Sequence, residues 1–178
     1  MLYTRKGDGG ETGLFGTKER LPKDSAIFEA LGSVDELNSF IGICFVVAQE
    51  ETRTTAFDVP EAVRSIQENL FIVQAEIAGA EKELTQTNVD ASESTIAQLE
   101  ALIERPKGFV IAGTTNLSAH LDYARAMSRR TERRVISVGP DVVSEATRRY
   151  LNRLSSFLYV LARYAASVSG EKESSPSY

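Results

Sequence analysis

The stretch VRSIQENLFIVQAEIAGAEKEL, residues Val63–Leu84, carries Val63, Ile66, Leu70, Val73, Ile77, Ala80 and Leu84 at steps of three and four. That period puts the apolar side chains on one face of a helix, a seam suited to bundle packing. The segment before it has the same pattern. Ile27, Leu31, Val34, Leu37, Ile41 and Phe45 predict a long helix from Ser25, which Asp24 or Ser25 can cap. The linker EETRTTAFDVP between the two ends in Pro60, a favoured first helical position.

Downstream, Ile96, Leu99 and Ile103 predict a shorter helix over Ser92–Glu104 that stops before RPKG. GFVIAGTTN reads as an extended connection. A fourth helix is expected over Leu117–Val138, broken by Gly139-Pro140. A fifth, over Asp141–Ser167, carries Val143, Tyr150, Leu154, Leu158 and Leu161 at helical spacing. Five helices with no convincing strand and no internal repeat predict an all-α five-helix bundle. The expected organisation is an arm over residues 1–24, the bundle over 25–168 and a disordered polar tail over 169–178.

At 178 residues the chain fits one domain with a core of useful size. The single cysteine, Cys44, excludes an internal disulfide and favours a reducing compartment, here taken as cytoplasmic. MLYTRKGDGGETG has no apolar run of the secretory kind, and no stretch approaches the roughly 20 apolar residues of a membrane span. A net charge of −5 argues against general nucleic-acid binding, although a local basic stripe can still hold a small polyanion.

Such a stripe exists. ARAMSRRTERR, Ala124–Arg134, has five arginines in an acidic chain. Arg125, Arg129, Glu132 and Arg133 share one helical face, with Arg130 and Arg134 on an adjoining one. The stripe suits a solvated face or a phosphate ligand, which the planar guanidinium fork matches well. Because few apolar residues remain on this helix, part of the stripe is expected to face inward or toward a second subunit. YTRKGDGGETGLFG, Tyr3–Gly16, holds five glycines that allow close backbone approach to an anion, with Arg5, Lys6, Thr4 and Thr12 as polar partners. It matches neither GxxxxGK[ST] nor GxGxxG, and taken alone it reads as a flexible N-terminal arm. In GSVDELNSF, Asp35 flanks the apolar seam, where it is a solvated carboxylate or a partner for Arg125 across the bundle. Asn152 lies beside the core face of the last helix, where a buried structural hydrogen bond is the ordinary reading. His120 is the only histidine, which removes a His-based metal cluster or a Cys/His dyad.

Four blocks, in order, carry a resemblance: YTRKGDGGETGLFG, PKDSAIFEALGSVDELNSFIG, GFVIAGTTNLSAHLDYARAMSRRTERRV and YLNRLSSFLYVLARYAA. Together the chain resembles the PduO-type ATP:cob(I)alamin adenosyltransferases from Tyr3 to about Ala166. The resemblance implies a ferritin-like five-helix bundle forming a homotrimer with sites between subunits. It also implies transfer of the 5′-deoxyadenosyl group of ATP to cob(I)alamin, with Co(I) as nucleophile and triphosphate as leaving group. Cob(II)alamin is reduced first, by a flavin-type reductase, and the product passes to an adenosylcobalamin-dependent enzyme. No nucleic acid or membrane enters.

On this resemblance ATP is held by Thr4, Arg5, Lys6, Gly7, Thr12, Gly13, Lys23, Arg129, Arg130, Glu132, Arg133 and Asn152. Mg²⁺ rides mainly on the ATP phosphates rather than on protein side chains. Asp35 and Arg125 match a salt-bridged pair near the corrinoid, Phe109 an aromatic on its lower face, and Arg129, Arg125 and Asp35 the catalytic set. Lys6, Gly9 and Ala112–Thr114 depart from the family pattern. A nucleotide sensor, a cobalamin carrier and an RNA-binding helix are the competing readings.

Overall fold

The computed structural model describes residues 3, 5–52 and 55–178. A two-residue hairpin, β1 (Glu11–Thr12) and β2 (Leu21–Pro22), precedes five helices: α1 (Ala26–Glu51), α2 (Val59–Ile77), α3 (Gln86–Glu100), α4 (Asn116–Ser137) and α5 (Glu145–Ser169). Packing runs α2 on α1, α1 on α4, α4 on α5 and α5 on α3. The all-α bundle expected from the periodicity is therefore what the chain forms.

The quoted seam explains α2. Val63, Ile66, Leu70, Val73 and Ile77 are all buried. The Asp58 side chain accepts from the Glu61 amide at 3.0 Å, and Pro60 stands in the first turn, where no intrahelical donor is needed. The helix ends at Ile77 because Gly79 takes φ +86°, a left-handed conformation that favours glycine. On α1, Val34, Leu37, Ile41 and Cys44 are fully buried between α2 and α4. Burial pushes the Cys44 thiol up to about 12, so it stays protonated and unreactive in the fold.

Several expectations need correction. Helix α3 begins six residues earlier than Ser92, because Asn88 Oδ1 accepts from the Thr85 amide at 3.0 Å and starts the helix ahead of its apolar run. It also stops at Glu100, before Ile103. Helix α5 starts at Glu145 rather than Asp141, with Ser144 Oγ accepting from the Thr147 amide. A short antiparallel ladder does exist, pairing Glu11 with Pro22 and Thr12 with Leu21. By length and composition α1 is apolar enough to cross a membrane, contrary to the expectation of no such stretch. Its apolar face is instead the core surface that α2 and α4 cover.

The shortage of apolar residues on α4 does not turn arginines inward. Small and hydroxyl side chains fill its buried face: Ser118, Ala124, Ser128 and Thr131 lie beside Leu117, Leu121, Met127 and Val135. Thr131 Oγ1 donates to the Ser33 carbonyl of α1 at 3.0 Å, so the two helices approach closely and leave the arginines outside. Nor is the tail a free end. Ile111 N donates to the Ser174 carbonyl at 2.8 Å, and Glu173 pairs with the buried Arg163.

Candidate nucleotide and corrinoid site

The outward face of α4 sorts its arginines by partner. Arg130 pairs with Glu36 at 2.8 Å and Arg134 with Glu29 at 3.3 Å, both across to α1. Their charge is locally balanced, and these contacts align α4 with α1. Arg129 and Arg133 are exposed, and among the described residues neither makes an ion pair. Arg133 Nη1 donates to the Arg129 carbonyl at 2.9 Å, which lays the Arg133 head back along the ridge toward Arg129. Neighbouring guanidinium groups without carboxylate partners make a surface suited to a polyanion.

Helix α5 completes that ridge. Asn152 is exposed rather than buried, and its Nδ2 donates to Glu132 Oε1 at 3.0 Å. Its Oδ1 accepts from Arg153 Nη1 at 2.8 Å, and Arg153 Nε pairs with Glu93 of α3 at 2.9 Å. Glu132 and Asn152 thus form one hydrogen-bonded line beside Arg129 and Arg133. Arg153 had no place among the sequence candidates, although it adjoins Asn152 in the chain.

The arm is a built hairpin. Arg20, also absent from the sequence candidates, fastens it by donating to the Lys6 and Glu11 carbonyls, each at 2.6 Å. Lys23 N donates to the Gly10 carbonyl at 2.9 Å. A Cβ at Gly7 would come within 3.0 Å of Lys23 Nζ, so the missing side chain lets the ammonium lie against the loop. Arg5, at φ +59°, stands 5.5 Å over the Tyr3 ring. Thr12 and Gly13 lie at the β1 end of the hairpin. Thr4 falls outside the described residues. The hairpin brings Lys6, Gly7 and Lys23 together.

Asp35 and Arg125 do not meet within the chain, which corrects the reading of a pair across one bundle. Asp35 faces α2, where its Oδ1 accepts from Gln74 Nε2 at 3.3 Å. Arg125 sits on the α5 side of α4, in a cleft of about 430 Å³ lined also by Ile103, Pro106, Ser155 and Tyr159. Since α1 lies between α2 and α4, the two side chains diverge on opposite flanks. Arg125 Nε instead lies 4.0 Å from Asp122 Oδ1, and Asp122 Oδ2 accepts from Arg163 Nη2 at 2.6 Å. Asp122 and Arg163 are 6% and 3% exposed, a buried pair that sequence reading missed. Its only signal was a charge at a core-facing position on each helix. Phe109 is 78% exposed, on the connection between α3 and α4.

A family model described as cobalamin adenosyltransferase matches residues 2–165. The chain belongs to this family. It is a transferase of the PduO type, and its likeness to known members runs the length of the fold. It is 38% identical over 170 residues to a corrinoid adenosyltransferase of Citrobacter freundii, covering 91% of this chain and 93% of that one. To the corrinoid adenosyltransferase PduO of Salmonella typhimurium it is 35% identical over 170 residues, 91% of this chain but 48% of the relative, so the chain spans about half that protein's length. The structure of a variant PduO-type ATP:corrinoid adenosyltransferase from Lactobacillus reuteri, complexed with cobalamin and ATP, superposes with a TM-score of 0.88 at 26% identity, covering 97% of this chain and 95% of that one.

The contrast between paired and unpaired charges is testable by denaturant unfolding. Asp122→Ala strands the buried Arg163 guanidinium and is expected to cost about 3–5 kcal/mol. Arg129→Ala removes an exposed, unpaired charge and is expected to change stability by no more than about 0.5 kcal/mol. Equal losses would show that the buried pair is not the stronger tie.

Proposed function

We propose that this chain transfers the 5′-deoxyadenosyl group of ATP to a reduced corrinoid. The observation that carries the reading is the ridge of unpaired Arg129 and Arg133 beside the Glu132–Asn152 hydrogen bond, in a chain whose relatives are corrinoid adenosyltransferases. Triphosphate leaves with growing negative charge, and fixed guanidinium groups are strongest where charge develops. On this reading Arg129 and Arg133 take the phosphate chain, while Glu132 and Asn152 hold their side of the nucleotide. The hairpin of Arg5, Lys6, Gly7, Thr12, Gly13 and Lys23 folds over it, together with Thr4. Arg130 joins by giving up part of its pair with Glu36. Mg²⁺ arrives with the nucleotide.

The chemistry asks for position more than for a protein nucleophile. Co(I) supplies the electron pair, the Co–C5′ bond forms, the C5′–O bond breaks, and triphosphate departs with that bond's electrons. The protein holds the reacting atoms within about 3–3.5 Å and in line. Phe109, standing out from its loop, suits an apolar contact with the lower face of the corrin. That contact would leave cobalt without a lower ligand and ease reduction of Co(II) by an external flavin-type reductase. The product is a cofactor for an adenosylcobalamin-dependent enzyme, and the setting proposed for the reaction is the cytoplasm.

Because Asp35 and Arg125 lie on opposite flanks, a pair between them requires a second copy of the chain. We therefore assign the active unit to a homotrimer with sites between subunits, Asp35 of one copy facing Arg125 of the next. Light scattering is expected to give three times the chain mass, and a monomer that turns over would remove the shared site.

The deciding experiment is an anaerobic assay with ATP, Mg²⁺ and chemically reduced cob(I)alamin, following absorption as the Co–C bond forms. Turnover should release triphosphate, and Arg129→Ala should lower the rate by roughly 10²–10³. Full activity in that variant would take Arg129 out of the clamp. Phe109→Ala is expected to keep ATP binding and lose the absorption signature of four-coordinate Co(II). An unchanged spectrum would place another residue beneath the corrin.

A further inference from the structure

Helix α5 ends at Gly170, whose φ of +77° turns the chain back on itself. The segment beyond it makes two contacts with other parts of the chain. Glu173 Oε1 lies 2.8 Å from Arg163 Nε, close enough for an ion pair although misaligned for a hydrogen bond. One residue later, the Ser174 carbonyl accepts from the Ile111 amide at 2.8 Å. Among the described residues this is the one main-chain hydrogen bond that residues 103–114 make with another part of the chain.

That loop carries Phe109 two residues before Ile111. Both side chains are largely exposed, so no packing of their own sets where Phe109 stands. Its position must come from the backbone, and the backbone is tied at Ser174. The tie leads into the same charge network as the cleft. Arg163 bridges Glu173 and Asp122, Asp122 reaches Arg125, and the Arg163 guanidinium lies 4.9 Å over the ring of Tyr159, which lines the cleft with Arg125.

We propose that residues 171–174 are a strap that positions the Phe109 loop for the corrinoid, with Glu173 as its anchor and a positioning residue. This rests on the reading of Phe109 and Arg125 as the corrin side of the site. Without Glu173, the Nε of a guanidinium only 3% exposed would keep no carboxylate partner, which is why the strap stays down. Desolvation raises the Glu173 carboxyl pKa, with Arg163 opposing it and Asp122 adding to it. The last buried apolar residue of α5 is Ala166, so the strap lies beyond the apolar core.

The test compares the full chain with a chain ending at Gly170 and with Glu173→Gln. In the free protein, hydrogen exchange at the Ile111 amide is expected to quicken by about tenfold or more in both variants, and by more than any change in exchange within α4. In the anaerobic assay, KM for cob(I)alamin should rise about tenfold with KM for ATP unchanged, and Glu173→Asp should recover part of the loss. Unchanged exchange at Ile111, or equal rises in both KM values, overturns the strap. A full-length chain that forms no Co–C bond overturns the adenosyl-transfer reading and the strap's corrinoid role with it. A full-length chain that turns over, with a truncated form that matches it, overturns the strap alone.

Discussion

The buried pair of Asp122 and Arg163 is the interaction on which the rest of this structure turns. It joins α4 to α5 at 2.6 Å, in a place where neither charge has water to fall back on. Desolvating two charges is costly, and the loss is offset only when geometry and further partners are good. Here the further partners are Arg125 on one side and Glu173 on the other. The same pair therefore joins the two helices, stands beside an arginine of the candidate cleft and receives the segment that follows α5.

From that joint the outer face of α4 acquires its division of labour. Arg130 and Arg134 reach back to the carboxylates of α1 and behave as struts. Arg129 and Arg133 keep their charge for something else. A surface ion pair contributes little to stability, so the struts matter more for alignment than for energy. What makes the unpaired arginines useful is the hydroxyl-rich inner face of the same helix. Thr131 meets the Ser33 carbonyl, the helices approach, and no arginine is drawn into the core.

Much of the fold was legible in periodicity. The seam of Val63 to Ile77 and that of Val34 to Ile41 bury as their spacing implies, because a 3.6-residue repeat has one face to hide. Boundaries set by polar contacts were less legible. Helix α3 starts where Asn88 meets the Thr85 amide, a local polar contact ahead of the apolar run. The hairpin of the arm depends on Arg20 reaching two carbonyls, and a lone arginine in a polar segment announces nothing of the kind. The tail looked disordered because its composition is polar. Its anchor is a single buried guanidinium seven residues before Gly170, invisible until the helix is packed.

The sequence by itself determined the helical class, the order of the elements, the arginine ridge and the family, since all of these reside in spacing along one chain. Tertiary structure decided which arginines are free and which are struts, because that depends on whether a carboxylate of another helix lies within reach. It also decided that Asp35 and Arg125 part company, since α1 stands between the helices they face. And it joined the tail to the Phe109 loop through the Ile111 amide and the Ser174 carbonyl, a contact between residues more than sixty positions apart that no local pattern encodes.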